Sequence, residues 1–411
     1  MPQQQADVAR RTLLKGGAAA ALTGLTVVTV AGPARAFPGH TDGGVVIPWL
    51  DQPTPVPPEF GNILAHPLVW EDIEYLTPND EFFTVKHYNQ PQLSPTAWRL
   101  DVTGLVAHPQ RLSLADLQRL PRREVTFALE CSGNTNGVAA FAIGLIGNAR
   151  WAGASLREVL KRARPLDLGI EVVFWGDDKG PVTIRDNTGI TGGGDTGVFA
   201  NGALTVTEHF ARSMSLEDAM NSENLLCYEM NGVPLPADHG APVRLIAPDW
   251  YGVANVKWLT RIEVLDTRFQ GRFMARDYVQ VREVERAGET VWTFTSVTHE
   301  RLKSAPARVT RIGDHYTVLG AAWGAPIAKV EAQVDDGRWR PTKLARNHGD
   351  DAAWAFWTLD WGTPTSGEHT IRSRAFDKDG NVQPTPQDPS IVSRRTIWEN
   401  NAQITRRVLI P

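Results

Sequence analysis

Two cysteines among 411 residues exclude a disulfide-dense scaffold. No C-x-x-C or H-E-x-x-H occurs, so nothing calls for a structural zinc. No C-x-x-C-H occurs either, so no haem is expected. Gly192-Gly193-Gly194 is rich in glycine but lacks the G-x-G-x-x-G and P-loop patterns, which removes the case for a nucleotide. The net charge of −4 gives no reason to expect nucleic acid or an anionic membrane as partner. What remains is the composition of a globular chain long enough for two or three domains, 42% hydrophobic and 21% charged. Its 14 tryptophans read mostly as core.

The N-terminus stands apart. Arg10-Arg11 precedes an apolar run from Gly16 to Val30 and the A-x-A site Ala34-Arg35-Ala36. The run is short for a membrane span and rich in Ala and Gly. Residues 1–36 therefore resemble a twin-arginine export signal, with a mature chain from Phe37 that works in the periplasm, free of the membrane after cleavage.

Val125–Glu130 alternates as a strand and runs into the small polar turn Cys131-Ser132-Gly133-Asn134. A thiol at a strand end can reach a cofactor. A Cys131–Cys227 disulfide is the other reading of the same residues. Upstream, Phe82–Tyr88 reads as a strand broken by Pro91, and Trp98–Val106 as a strand ending at Gly104. Ser113, Ser155 and Ser215, each followed three residues later by an acid, predict helix starts. Glu171–Trp175 reads as a strand entering a Gly176–Gly180 turn that carries Asp177 and Asp178.

The region 225–262 is densest in candidates. Leu225–Gly232, Val243–Ala247 and a strand ending at Ile262 are joined by loops carrying His239, Arg244 and Lys257. Each alone reads as an amphipathic surface side chain; together, at successive loop–strand junctions, they form a candidate anion site. Residues 266–290 read as a connection. From Val291 to 411 the pattern is all-β and suggests a sandwich. Asp377-Lys-Asp-Gly-Asn381 reads as a turn rather than a calcium loop, because its sixth position is Val382 and its twelfth Asp388.

Thr77-Pro-Asn-Asp-Glu-Phe-Phe83, Leu129-Glu-Cys-Ser-Gly-Asn134, Tyr228-Glu-Met-Asn-Gly-Val-Pro-Leu-Pro236, Asp238-His-Gly-Ala-Pro-Val-Arg244 and Asn255-Val-Lys-Trp-Leu259 together resemble the sulfite oxidase family of molybdenum enzymes. The resemblance implies an α+β molybdopterin-binding domain (37–265) followed by an immunoglobulin-like sandwich (291–411) that makes a homodimer. It implies Cys131 as the thiolate ligand of molybdenum, and His87, Asp178, His239, Arg244, Asn255, Val256 and Lys257 as molybdopterin contacts. It implies Tyr228 as the tyrosine facing the metal. The implied reaction is oxygen-atom transfer on a small-molecule substrate, with electrons passing to a separate partner such as a c-type cytochrome.

The chain departs from the family pattern where sulfite-oxidising members carry arginines. Val85 follows the Phe82-Phe83 pair, Thr135-Asn136 follows the cysteine turn, and Ala353–Thr358 offers no arginine. That weakens sulfite as the substrate, with Lys86 left to supply one charge and Trp357 to favour a neutral one. Two other readings stay open: a reductase of the same fold acting on a sulfoxide, nitrate or other oxidised group, and a non-catalytic exported binding protein with the disulfide.

Overall fold

A computed structural model describes residues 43–52, 63–135, 143–185, 203–345 and 350–411. The proposed leader, Asn136 and the Gly192–Gly194 loop lie outside them. In chain order the strands that build the first part are β1 (Arg99–Gly104), β2 (Gln110–Ser113), β3 (Arg122–Glu130), β4 (Ile146–Ser155), β5 (Glu171–Arg185), β6 (Ala203–Ser215), β7 (Leu225–Met230), β8 (Arg244–Ile246) and β9 (Leu259–Leu265). One antiparallel sheet runs β3-β4-β7 and ends on Val233–Pro234, with β8 also paired to β7. A second runs β2-β1-β9-β5-β6, in which only β1 and β9 are parallel. Short helices α1 (Leu114–Gln118), α2 (Leu156–Ala163) and α3 (Leu216–Ala219) lie between strands.

The local chemistry explains most of these starts and stops. Ser113 and Asp116 form a reciprocal capping box on α1, and Ser215 accepts from the Asp218 N–H on α3. Ser155 differs: α2 forms, but the serine makes no side-chain cap and is buried instead in the strand that precedes the helix. Leu156, Val159, Leu160 and Ala163 fill its buried stripe. The Glu171–Trp175 strand does not end at Gly176. It continues to Arg185 through a bulge between Trp175 and Lys179, which leaves Asp178 buried and facing inward. Only Thr84–Val85 of the expected Phe82–Tyr88 strand pairs, with Leu64–Ala65, because the chain turns inward to bury Phe82 and Phe83.

The stretch 266–290 is not irregular. It holds α4 (Arg272–Ala275) and β10 (Val279–Arg286), which pairs in a hairpin with β11 (Glu289–Ser296). Charges at Arg282, Glu283, Glu285 and Arg286 hid its period. The sandwich follows: β12 (Lys303–Ile312), β13 (His315–Trp323) and β15 (Ala355–Gly362) in one sheet, β14 (Ile327–Val334), β16 (Gly367–Asp377) and β17 (Thr405–Ile410) in the other. Val309, Val318, Val330, Ala332, Ile371 and Val408 meet in its core. The Asp377 carboxylate accepts from the Asp379 and Asn381 N–H groups, so the acidic run is a turn. Trp357 is fully buried in the sandwich core, where it donates to Ser304 Oγ at 3.0 Å.

β3 is the pivot. Phe127, Ala128, Leu129 and Glu130 are all buried, so both faces of the strand are covered, one by the first part of the chain and one by the sandwich side. Close strand approach elsewhere in this sheet depends on Gly153, where an added Cβ would sit 2.1 Å from Leu226 O. Gly153→Ala is expected to lower stability by roughly 2 kcal/mol or more, read as a drop in the urea midpoint. An unchanged midpoint would contradict this spacing.

Candidate active site

The turn after β3, the bulge within β5 and the loops flanking β8 converge on one pocket. His87, Cys131, Asp178, His239, Arg244, Asn255 and Lys257 all line it. Residues separated by up to 170 positions thus arrive at one place, as the scattered motifs require.

Cys131 follows β3 directly. Its N–H donates to Leu145 O, and the Asn134 N–H donates back to Cys131 O at 2.9 Å, closing the turn. Burial pushes the thiol up to about 11; a hydrogen bond from the Gly133 N–H opposes the shift. A free thiol here stays protonated near neutrality, and a metal must displace that proton. Cys227 lies on β7, fully buried, with its thiol donating to Glu229 O at 3.1 Å. Both cysteines are free, which removes the disulfide and the binding-protein reading built on it. Only Cys131 reaches the cavity.

The opposite lining is cationic and polar. Arg244 is buried, donates to His239 O and Asn255 O, and lies over the Trp151 ring at 5.1 Å. Lys257 Nζ donates to Val85 O at 2.9 Å, and burial lowers its pKa to about 7. Burial raises Asp178 to about 7, with Lys257 pulling the other way. Asp177 takes no part in the lining; its N–H is used on Trp258 O. His239 Nε2 lies 2.9 Å from Asn79 O, which places the proton on Nε2 and leaves Nδ1 as an acceptor. Burial lowers His239 to about 4 and His87 to about 3, so both are neutral near pH 7.

Three buried polar atoms on this lining have no partner: Asp178 Oδ1, Thr84 Oγ1 and Arg244 Nε. Orphaned donors and acceptors around one cavity are what a polar, anionic cofactor would satisfy. Cys131 supplies the single soft ligand. The residues therefore fit molybdopterin. No group of three or more His, Cys, Asp or Glu able to hold a metal occurs among the described residues, so a metal here depends on its cofactor for other ligands.

Three expected contacts resolve differently. The Asn255 amide is spent inside the protein, accepting from Ala247 N–H and donating to Trp250 O and Tyr251 O. It shapes the loop. Val256 is absent from the lining because its side chain is packed in the main core. Tyr228 is also packed there, where a bulge at Cys227–Glu229 shifts the register of its strand. The tyrosine in the cavity is Tyr278: its hydroxyl is 2.6 Å from His87 Nε2, and its ring stacks on Trp398 at 4.4 Å. Burial, then Cys131, hold its pKa far above the usual tyrosine range. No local pattern marked Tyr278, which sat in the stretch read as a connection.

The oxidoreductase molybdopterin-binding domain matches residues 87–273, and the Mo-co oxidoreductase dimerisation domain matches residues 277–404. Sulfite oxidase from Gallus gallus is 34% identical over 349 residues, covering 77% of this chain and 69% of its own. The chain belongs to the sulfite oxidase family. Within that family it is a molybdenum-cofactor oxidoreductase, as the domain match and the fitted lining require. Mitochondrial sulfite oxidase from Homo sapiens is 33% identical over 77% of this chain, which spans 58% of that relative's length. The sulfane dehydrogenase SoxCD of Paracoccus pantotrophus shares the fold, with a TM-score of 0.68, 23% identity, and coverage of 95% of this chain and 96% of that one.

The neutral buried histidines set a pH dependence. His239 falls from 6.5 to about 4 on folding, so the unfolded chain binds more protons between those values. Stability of the cofactor-free protein is therefore lost as pH falls through that window, by about 3 kcal/mol from this group. Asp178, raised on folding, acts in the opposite sense between 3.8 and about 7. His239→Gln is expected to flatten the loss between pH 6.5 and 4 in urea titrations; an unchanged slope would refute a buried neutral His239.

Proposed function

We propose that this enzyme transfers an oxygen atom on a sulfur compound, with molybdenum held through Cys131 and the pterin and its phosphate held by Asp178, His239, Arg244 and Lys257. The observation that carries the reading is one cavity lined by both a thiol, Cys131, and two cations, Arg244 and Lys257, with orphaned polar atoms among them. When bound, the cofactor supplies the oxygen transfer and the two-electron chemistry. Arg244 and Lys257 neutralise and orient the anionic end. Lys257, neutral in part without a ligand, gains its proton when an anion arrives. Tyr278 Oη and His87 Nε2 are hydrogen-bonded at 2.6 Å beside Cys131. Phe210, Leu129 and Val253 exclude water from that end.

Arg244 and Lys257 are the cations of the lining, and both donate to backbone carbonyls. Lys303 is paired with Glu130, and the Arg212 guanidinium donates to Phe273 O and Val297 O. Val85 lines the cavity, while Lys86 does not and is turned to Gln90 and Asp238. This supports a sulfur substrate of low charge over the sulfite dianion. The sulfur class itself rests on the sulfite oxidase relatives. Electrons are read as passing to an external acceptor such as a c-type cytochrome, and the chain as an exported homodimer. The Arg10-Arg11 leader supports export, and the dimerisation domain supports the dimer.

Cys131→Ser is expected to purify with little molybdenum by elemental analysis; full loading would sink the ligand assignment. Tyr278→Phe is expected to retain metal and lose turnover by roughly 10²-fold, while Tyr228→Phe stays within about twofold of wild type. The opposite ranking would restore Tyr228. A substrate screen with sulfite, thiosulfate, sulfoxides and nitrate, using artificial acceptors and donors, tests the substrate class. Activity confined to nitrate would overturn the sulfur reading.

A further inference from the structure

The Cys131 turn is gripped from outside its own domain. Lys303, the first residue of β12, is 2% exposed at its side chain, and Glu130 is fully buried. Lys303 Nζ donates to Glu130 Oε1 at 2.6 Å and to Asn134 O at 2.9 Å. Asn134 closes the circle: its amide donates to the same Glu130 oxygen, and its Oδ1 accepts from the Leu145 N–H. One ammonium thus binds the residue before Cys131 and the residue that ends its turn.

The segment that carries Lys303 is itself tied beside the cavity. Tyr251 N–H donates to Thr298 O and Glu300 N–H to Asp249 O. The Glu130 N–H donates to Glu300 Oε1 at 2.8 Å. From the other end of the sandwich, Glu399 N–H donates to Ser132 O at 2.8 Å. Trp398 stands where a Cβ on Gly133 would meet it at 3.2 Å, and it also stacks on Tyr278.

We propose that Lys303 is a positioning residue for Cys131, through which the sandwich domain sets where the thiol sits in the cavity. A buried pair that served stability alone would gain little over apolar residues of the same volume. Lys303 adds a second bond, to a turn carbonyl, which an apolar residue does not replace. The inference rests on Cys131 being the metal ligand.

The test uses the full chain. Lys303→Met leaves Glu130 unpaired and endangers folding, so Glu130→Met/Lys303→Met removes both charges and keeps the packing. Lys303→Arg keeps the charge with a wider head group. In cofactor-free protein, iodoacetamide labelling of Cys131 relative to Cys227 is expected to change at least about tenfold in the double variant and in Lys303→Arg. In loaded protein, the electron paramagnetic resonance signature of the reduced metal is expected to shift in both. A wild-type labelling ratio and spectrum in both variants, whatever their unfolding midpoints, would overturn the proposal and leave the pair a stability element. The labelling ratio needs no metal, so it separates a failed clasp from a failed ligand assignment, which the metal content of Cys131→Ser decides.

Discussion

The buried pair between Glu130 and Lys303 is the constraint on which this molecule turns. Both charges have left water, at a cost that only a short contact and further hydrogen bonds offset. Asn134 supplies those bonds. Glu300, packed against Glu130, is pushed far above the usual carboxyl range by burial and by that neighbour. The pair joins the last residue of β3 to the first of β12. The Cys131 turn and the sandwich are therefore one structure.

The cavity shows the same economy with opposite sign. Arg244, buried, and Lys257, half-buried, are cations facing the cavity. Their desolvation is partly relieved by backbone carbonyls: His239 O and Asn255 O for the arginine, Val85 O and Asp238 O for the lysine. Such a site is preorganised, because the groups cannot relax into water without the cofactor. Asn255 matters here through its backbone and through the loop it knots, not as a ligand. Tyr278, His87, Phe210 and Trp398 form an aromatic shelf on the thiol side, where low polarity strengthens each remaining polar contact.

Much of this was legible one residue at a time. The Cys131 turn, the His239–Arg244 loop and Lys257 each sit where a strand period breaks into small polar residues, and the fold gathers them into one lining. The capping box at Ser113 and the Ser215 cap were readable because their partners lie within four residues. Asp178 was separable from Asp177 only once the bulge in β5 turned one inward. Tyr228 and Tyr278 look alike in sequence. One is packed in the core and the other reaches His87, a contact that spans 191 positions.

By itself, then, the sequence determined the local elements, the separate motifs and the cofactor family they resemble, because strand periods, caps and short motifs are written in neighbours. Tertiary structure alone decided which tyrosine faces Cys131, that both thiols are free, and that a lysine of the second domain holds the Cys131 turn. Those outcomes depend on contacts between distant residues and on which polar groups are denied water. Neither is a property of any short stretch of chain.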